Sequence, residues 1–153
     1  MEIYKQTVID RLWDSLVVLM GLECLSGFRL VGGTSLSLLI GHRMSVDIDL
    51  FTDAEYGTID FAAISEKLKS EFEYVDYNHW SNKSMGNSCF VGNSPKESIK
   101  LDLFYTDSFV YPLINFDGIR LSSLEEIVAM KLDVIGRGGR KKDFWDIHAL
   151  FDY

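Results

Sequence analysis

Long apolar runs, cysteine, proline and positive charge are all scarce in this 153-residue sequence. No stretch approaches the ~20 consecutive apolar residues that a membrane helix needs. Met1-Glu2-Ile3-Tyr4-Lys5 also lacks the apolar core of a secretory signal, so no membrane partner is expected. The two cysteines, Cys24 and Cys89, lie far apart among apolar neighbours and have no metal-ligand spacing. They read as buried free thiols of a cytoplasmic protein. Two prolines, no low-complexity tract and no internal repeat leave nothing to mark a linker, so residues 1–153 read as one domain. Lys and Arg total 15 against 23 Asp and Glu, and the net charge of −8 excludes a broad basic surface for gripping nucleic acid. A basic cluster at residues 137–142 is the local exception. His42, His79 and His148 are scattered and adjoin no cysteine, so neither zinc spacing nor a Ser-His-Asp order stands out. Of the three, His42 lies nearest to an acidic pair.

What is present supports a folded core: hydrophobic residues make up 47% and aromatics 13%. Ile3, Val8, Leu12, Leu16 and Leu19 recur at helical intervals and predict a long amphipathic helix that fades over 21–27. Residues 28–31 read as a strand stopped by Gly32-Gly33, and 35–40 as a helix ended by Gly41. Residues 46–51 alternate apolar and acidic side chains, as a half-buried strand does. Thr58 is expected to cap a helix with Phe61, Ile64, Leu68 and Phe72 on its apolar stripe. Strands are expected over 72–80, 88–91 and 99–105, and Asp117-Gly118 marks a hairpin between 114–116 and 119–121. Ser122 and Glu125 fit a capping box for a helix through Ile127, Met130, Leu132 and Ile135, ended by Gly136, Gly138 and Gly139. A last helix from Asp143 would turn Phe144, Ile147, Leu150 and Phe151 inward, with Phe144 and Trp145 read as core. It runs to the final residue, so either the chain continues or the fold is minimal. This order indicates an α+β, α/β-like domain with a central mixed sheet and flanking helices.

Asp47-Ile48-Asp49-Leu50 carries the first chemistry. Residues two apart on a strand share a face, so Asp47 and Asp49 lie side by side while Ile48 and Leu50 enter the core. Neighbouring carboxylates raise each other's pKa unless a cation lies between them. Mg²⁺ resolves that repulsion, because it takes one or two carboxylates together with substrate phosphates. An exposed strand face with unrelated acids is the competing reading of an isolated D-x-D. Upstream, Gly32-Gly33-Thr34-Ser35 lies between a strand and a helix. Glycines there permit close approach, the helix start offers free N–H groups, and Ser35 offers a hydroxyl to a terminal phosphate. A plain helix N-cap is the alternative for this segment alone. Cradle and carboxylate pair together describe a nucleotide site in which each half explains the other. Lys100-Leu101-Asp102-Leu103-Phe104 repeats the alternation and supplies a third carboxylate, Asp102, for two-metal chemistry if its strand adjoins the first. Lys131 on its helix reads either as a triphosphate contact or as a solvated lysine. Arg137, Arg140, Lys141 and Lys142 read as a clamp for NTP or RNA, or as a solvated turn, and Asp143 as a helix N-cap or a catalytic acid.

These motifs carry a family resemblance. Val31-Gly32-Gly33-Thr34-Ser35-Leu36, Gly41-His42-Arg43, residues 45–51, Met130-Lys131-Leu132, Arg137 and Lys142-Asp143-Phe144-Trp145-Asp146 resemble the AbiEii/AbiGii toxin-type nucleotidyltransferases of the DNA polymerase β-like superfamily. The resemblance covers the chain from about Arg29 onward. It implies a minimal nucleotidyltransferase fold and transfer of NMP from an NTP to an acceptor hydroxyl, with Mg²⁺ as cofactor and pyrophosphate released. It also implies membership of a toxin–antitoxin or phage-defence pair, with a cognate antitoxin partner and an RNA such as tRNA as acceptor. Gly33 and Ser35 match the family's phosphate loop, with Gly32 and Thr34 beside them. Asp47 and Asp49 match the metal pair, to which the alternation of residues 100–104 adds Asp102 as a candidate third ligand, and Lys131 matches the lysine near the nucleotide. Asp143 and Asp146 match the closing R/K-D-x-x-D motif, where Lys142 replaces the common arginine, and Arg137 completes the nucleotide-binding set. The family's further C-terminal helical region is absent or truncated in this sequence. Two other readings use the same residues: a small-molecule, antibiotic-type nucleotidyltransferase, and an inactive domain that binds a nucleotide or a partner.

Overall fold

A computed structural model describes residues 2–76 and 80–153. Seven strands form one mixed sheet in the order β3-β4-β5-β2-β1-β7-β6. They are β1 (Arg29–Leu30), β2 (Asp47–Thr52), β3 (Tyr74–Asp76), β4 (Gly86–Ser94), β5 (Glu97–Tyr105), β6 (Ile114–Phe116) and β7 (Ile119–Leu121). Five α-helices accompany them: α1 (Asp10–Met20), α2 (Gly32–Ile40), α3 (Phe61–Glu71), α4 (Leu124–Gly136) and α5 (Lys141–Ala149). The α+β architecture with a central mixed sheet is therefore as the sequence indicates.

Alternation along the two central strands divides the sheet into a dry face and an open one. Ile48 and Leu50 of β2 and Leu101 and Leu103 of β5 are fully buried. α1 lies across β2, β4, β5 and β7, with Leu12, Leu16 and Leu19 buried in the same core. The intervening residues of β2 and β5 stay half-buried on the other face. Because β2 and β5 are parallel and in register, Asp47 sits beside Lys100, Asp49 beside Asp102 and Phe51 beside Phe104.

Several local expectations are corrected. The first helix does not reach back to Ile3: residues Lys5–Thr7 form a 3₁₀ turn and Val8 bridges to Ser45, so α1 begins at Asp10. Asp60, not Thr58, caps α3 by accepting from the Ala63 N–H, while the Thr58 hydroxyl bonds back to the Glu55 carbonyl. The cap of α4 falls one residue later than expected, on Ser123, which accepts from the Glu126 N–H. Cys89 is buried as expected, but Cys24 is exposed. The expected strand over 72–80 is present at Tyr74–Asp76; residues 77–79, His79 among them, lie outside the described residues. The hairpin stands as read, with Asp117 and Gly118 at φ 47° and 88°, the left-handed geometry that a two-residue turn of this type demands.

Arg120 of β7 ties the distant ends of this core together. Its guanidinium donates to the carbonyls of Phe28 (2.8 Å), Met20 (3.0 Å) and Leu25 (2.9 Å), fixing the connection between α1 and β1. Hydrogen bonds from a charged donor are worth ~1.5–3 kcal/mol each, and orphaned carbonyls carry a desolvation cost. Arg120→Met, which keeps much of the side-chain volume, should lower unfolding free energy by about 3 kcal/mol in urea titration, on the same scale.

Candidate active site

The open face of the sheet is the floor of a cleft of about 660 Å³. Gly32, Gly33 and Arg43 line one side, Asp49, Phe51, Asp102 and Phe104 the floor, and the α4 segment around Met130 and Lys131 the opposite wall. The loop around Thr106–Ser108 and the turn into α5, with Arg140, Lys142 and Asp143, complete the rim.

Asp49 and Asp102 face each other across the β2–β5 pair. Burial, reinforced by the Asp102 charge and by Asp47, pushes the Asp49 carboxyl up to about 6, although Lys100 opposes the shift. Lys100 Nζ holds Asp102 Oδ2 at 2.8 Å, while Asp102 Oδ1 is buried with no hydrogen-bond donor. Paired, partly desolvated carboxylates with a vacant acceptor oxygen suit a hard divalent cation. Among the described residues no group of three or more His, Cys, Asp or Glu side chains is arranged as a ready cage. Mg²⁺ does not need one, because it retains water and takes ligands from the substrate. Asp47 lies one rung toward the strand start and is not among the cleft-lining residues.

The glycine loop is shaped by these same side chains. Gly32 has φ 68°, and a Cβ there would lie 2.8 Å from Asp49 Oδ2. A Cβ on Gly33 would collide with Arg43 Nη2. The left-handed backbone at residue 32 favours glycine, and a side chain at residue 33 would displace the Arg43 guanidinium from its place beside the loop. Val31, the N-cap of α2, provides no side-chain hydrogen bond, so the first-turn amides remain available beside the carboxylates. Thr34 and Ser35 do not offer their hydroxyls to the cleft, contrary to the expectation for Ser35. Thr34 Oγ1 bonds to Ser45 Oγ (2.7 Å) and the Asp47 carbonyl, and Ser35 is buried with its hydroxyl directed to the Ser122 carbonyl at 3.4 Å. Their contribution to the loop is through the backbone.

Behind the cleft, Asp146 is a buried hub. Its carboxylate accepts from Arg43 Nε (2.6 Å) and Nη2 (2.9 Å) and from His42 Nε2 (2.7 Å), and it pairs with Lys131 Nζ at 2.7 Å. Lys131 also meets Asp143 Oδ1 at 3.2 Å. Burial would pull the Asp146 pKa up, but the hydrogen bonds from His42, Arg43 and Lys131 outweigh it and hold the group far below the usual carboxylate range. Asp146 does not line the cleft, so its role is to hold the cations that do. Asp143 is not the N-cap of α5: it is the third residue of the helix, and its Oδ2 accepts from the Arg140 N–H at 2.9 Å. Arg137 does not line the cleft; it is exposed and pairs with Asp133 at the cleft's edge. Arg43, quoted in the sequence only as part of a motif, emerges as a cleft cation through contacts more than 100 residues away, a separation that local spacing does not reveal.

Comparisons with known proteins show the family and the fold. Residues 23–153 match the family model described as nucleotidyl transferase AbiEii toxin, type IV TA system. The chain belongs to the AbiEii family. The uncharacterized protein aq_aa25 of Aquifex aeolicus (strain VF5) is 29% identical to this AbiEii member over 143 residues. That match takes in 90% of the present chain, which spans 64% of the length of the curated relative. Among solved structures, a protein from H. pylori assigned provisionally to the nucleotidyltransferases superposes with a TM-score of 0.67 at 20% identity, over 98% of this chain and 70% of its own. The Megavirus polyadenylate synthase superposes with a TM-score of 0.59 at 17% identity, over 93% of this chain and 31% of its own. Both likenesses establish the nucleotidyltransferase fold.

The Asp146 hub generates a stability prediction. Removing one partner of a buried ion network leaves the others uncompensated, so Asp146→Asn should cost about 3 kcal/mol at pH 7. Because folded Asp146 binds a proton far less readily than a free carboxyl of pKa ~3.9, its contribution is present above about pH 4 and declines as pH falls below that value. Urea titrations of wild type and variant should therefore diverge at pH 7 and converge toward pH 2.

Proposed function

We propose that this chain transfers a nucleoside monophosphate from an NTP to an acceptor hydroxyl with Mg²⁺ as cofactor. We further propose that it is the toxin of a toxin–antitoxin or phage-defence pair in the cytoplasm, with an RNA such as tRNA as acceptor. One observation supports the chemistry above all. The Asp49–Asp102 rung lies against Gly32 at an uncapped helix start, with a buried Asp102 oxygen that lacks a donor. The family description supports the toxin setting and an antitoxin partner, and the basic turn at Arg140, Lys141 and Lys142 supports an anionic acceptor.

In this reaction the acceptor oxygen bonds to the α-phosphorus in line as the bond to the pyrophosphate oxygen breaks. The acceptor proton passes to Asp102, and pyrophosphate departs with the electron pair of the broken bond. Asp49 and Asp102, with Asp47 adjacent, would hold Mg²⁺, which would supply Lewis-acid neutralisation of the phosphate charge. The α2 amides and the Arg43 guanidinium bind the triphosphate, and Asp146 keeps Arg43 from reorganising during the transfer. Lys131, fixed between Asp143 and Asp146, provides fixed positive potential at the α4 wall and offsets the charge that develops on the leaving group. Among the described residues no helix is long and apolar enough to cross a membrane.

Asp49→Asn separates this role from a structural one. Transfer of label from α-labelled NTP to total tRNA should fall at least a hundredfold, a loss expected of an electrostatic group in phosphoryl transfer. Meanwhile Tm in EDTA at pH 7 should not drop, since the substitution relieves the repulsion that raises the Asp49 pKa. Full transfer by the variant would remove Asp49 from the mechanism. A parallel screen in which aminoglycosides are labelled and tRNA is not would redirect the acceptor to a small molecule.

A further inference from the structure

The rung beyond the carboxylates is aromatic. Phe51 and Phe104 are register partners on the same face as Asp49 and Asp102, two residues further along each strand, or roughly 7 Å. Their ring centroids are 5.9 Å apart with planes inclined at 51°. Neither ring completes the core, which the opposite face already supplies through Leu50 and Leu103. Both line the cleft instead, facing the α4 wall that carries Ile127, Met130 and Val134. The placement of Phe104 is built into the sheet. Its partner across β4 is Gly86, where any Cβ would collide with the Phe104 ring. The result is an apolar slot in an otherwise charged cleft, one rung from the proposed reacting centre and bounded by polar side chains at Thr106, Asp107 and Ser108.

We infer that the Phe51–Phe104 rung is a stacking subsite for a nucleobase; this rests on the nucleotidyltransferase reading of the Asp49–Asp102 site. A flat heterocycle gains dispersion and stacking energy against an aromatic floor with little dependence on sequence. Its polar edge can then meet the hydroxyl and carboxylate groups at the rim. The base belongs either to the donor NTP or to the terminal nucleotide of the acceptor, and the chemistry of recognition is the same for both.

Calorimetry with Mg²⁺ on the full chain tests this with ATP, GTP, CTP, UTP and inorganic tripolyphosphate, which has phosphates but no base. If the donor base stacks here, Phe51→Ala and Phe104→Ala weaken NTP binding roughly tenfold and leave tripolyphosphate binding, which also reports folding, at the wild-type level. If the acceptor base stacks here, NTP binding is retained. What falls then is the binding of adenosine or cytidine to protein saturated with a non-hydrolysable NTP analogue. Phe51→Leu and Phe104→Leu, which keep apolar bulk without the π-face, should behave like the alanine variants where those fold poorly. Wild-type affinity of the variants for every one of these probes overturns the subsite. Wild-type protein that binds neither NTP nor tripolyphosphate overturns the nucleotidyltransferase reading beneath it, a different and separable result.

Discussion

The parallel pairing of β2 with β5 sets the position of everything the cleft contains. Its register carries three rungs on one face, a lysine–aspartate rung, a two-carboxylate rung and an aromatic rung. The dry side of the same two strands is bound to the core by fully buried aliphatic residues. A slip of one residue in β5 would send Leu101 and Leu103 to the cleft and Asp102 into the core, so burial on one face enforces chemistry on the other. This is why the carboxylates can be held in a repulsive arrangement: the hydrophobic cost of separating them exceeds what their separation would return.

A second constraint acts on the cations. Arg43 and Lys131 come from α2's exit and from α4, elements that share little sequence context, and both converge on Asp146 of α5. The Arg43 guanidinium is held through Nε and Nη2 by Asp146 and through Nη1 by the Met44 carbonyl, so its position beside the glycine loop is fixed within the protein itself. His42 adds to the same carboxylate while its Nδ1 is buried without a partner. The hub is therefore well satisfied at its centre and less so at its edge.

Local features were legible from the sequence wherever the physics is local. The strand alternation placed Asp47 with Asp49 on one face and Asp102 with Lys100 on one face of its own strand, and Asp117-Gly118 marked its hairpin, because each depends on neighbours within a few residues. That the two strands adjoin is a long-range pairing, which the alternation of either one does not specify. Adjacent candidate caps were less separable. Thr58 and Asp60, or Ser122 and Ser123, offer similar oxygens, and the winner is decided by where the helix packs. The reading of α5 failed for a different reason. Its apolar periodicity suggested that Phe144 and Phe151 face inward, yet the buried positions are Asp143 and Asp146, and Phe144, Trp145 and Phe151 are exposed. Cations supplied by α2's exit and α4 make acidic residues the inward-facing ones, and no helical pattern encodes that. Ser35 was misplaced similarly, because α2 packs between α4 and the sheet and is buried on nearly every side.

The hub also orders events in time. His42 and Arg43 are made more than 100 residues before the carboxylate that fixes them. While a nascent chain lacks α5, it already carries the glycine loop and Asp47, Asp49 and Asp102, but the Arg43 guanidinium is without Asp146 and Lys131 is without both of its carboxylate partners. The carboxylate rung is thus synthesised before the hub that fixes the neighbouring cations, and the cleft is fully assembled only once α5 has been made.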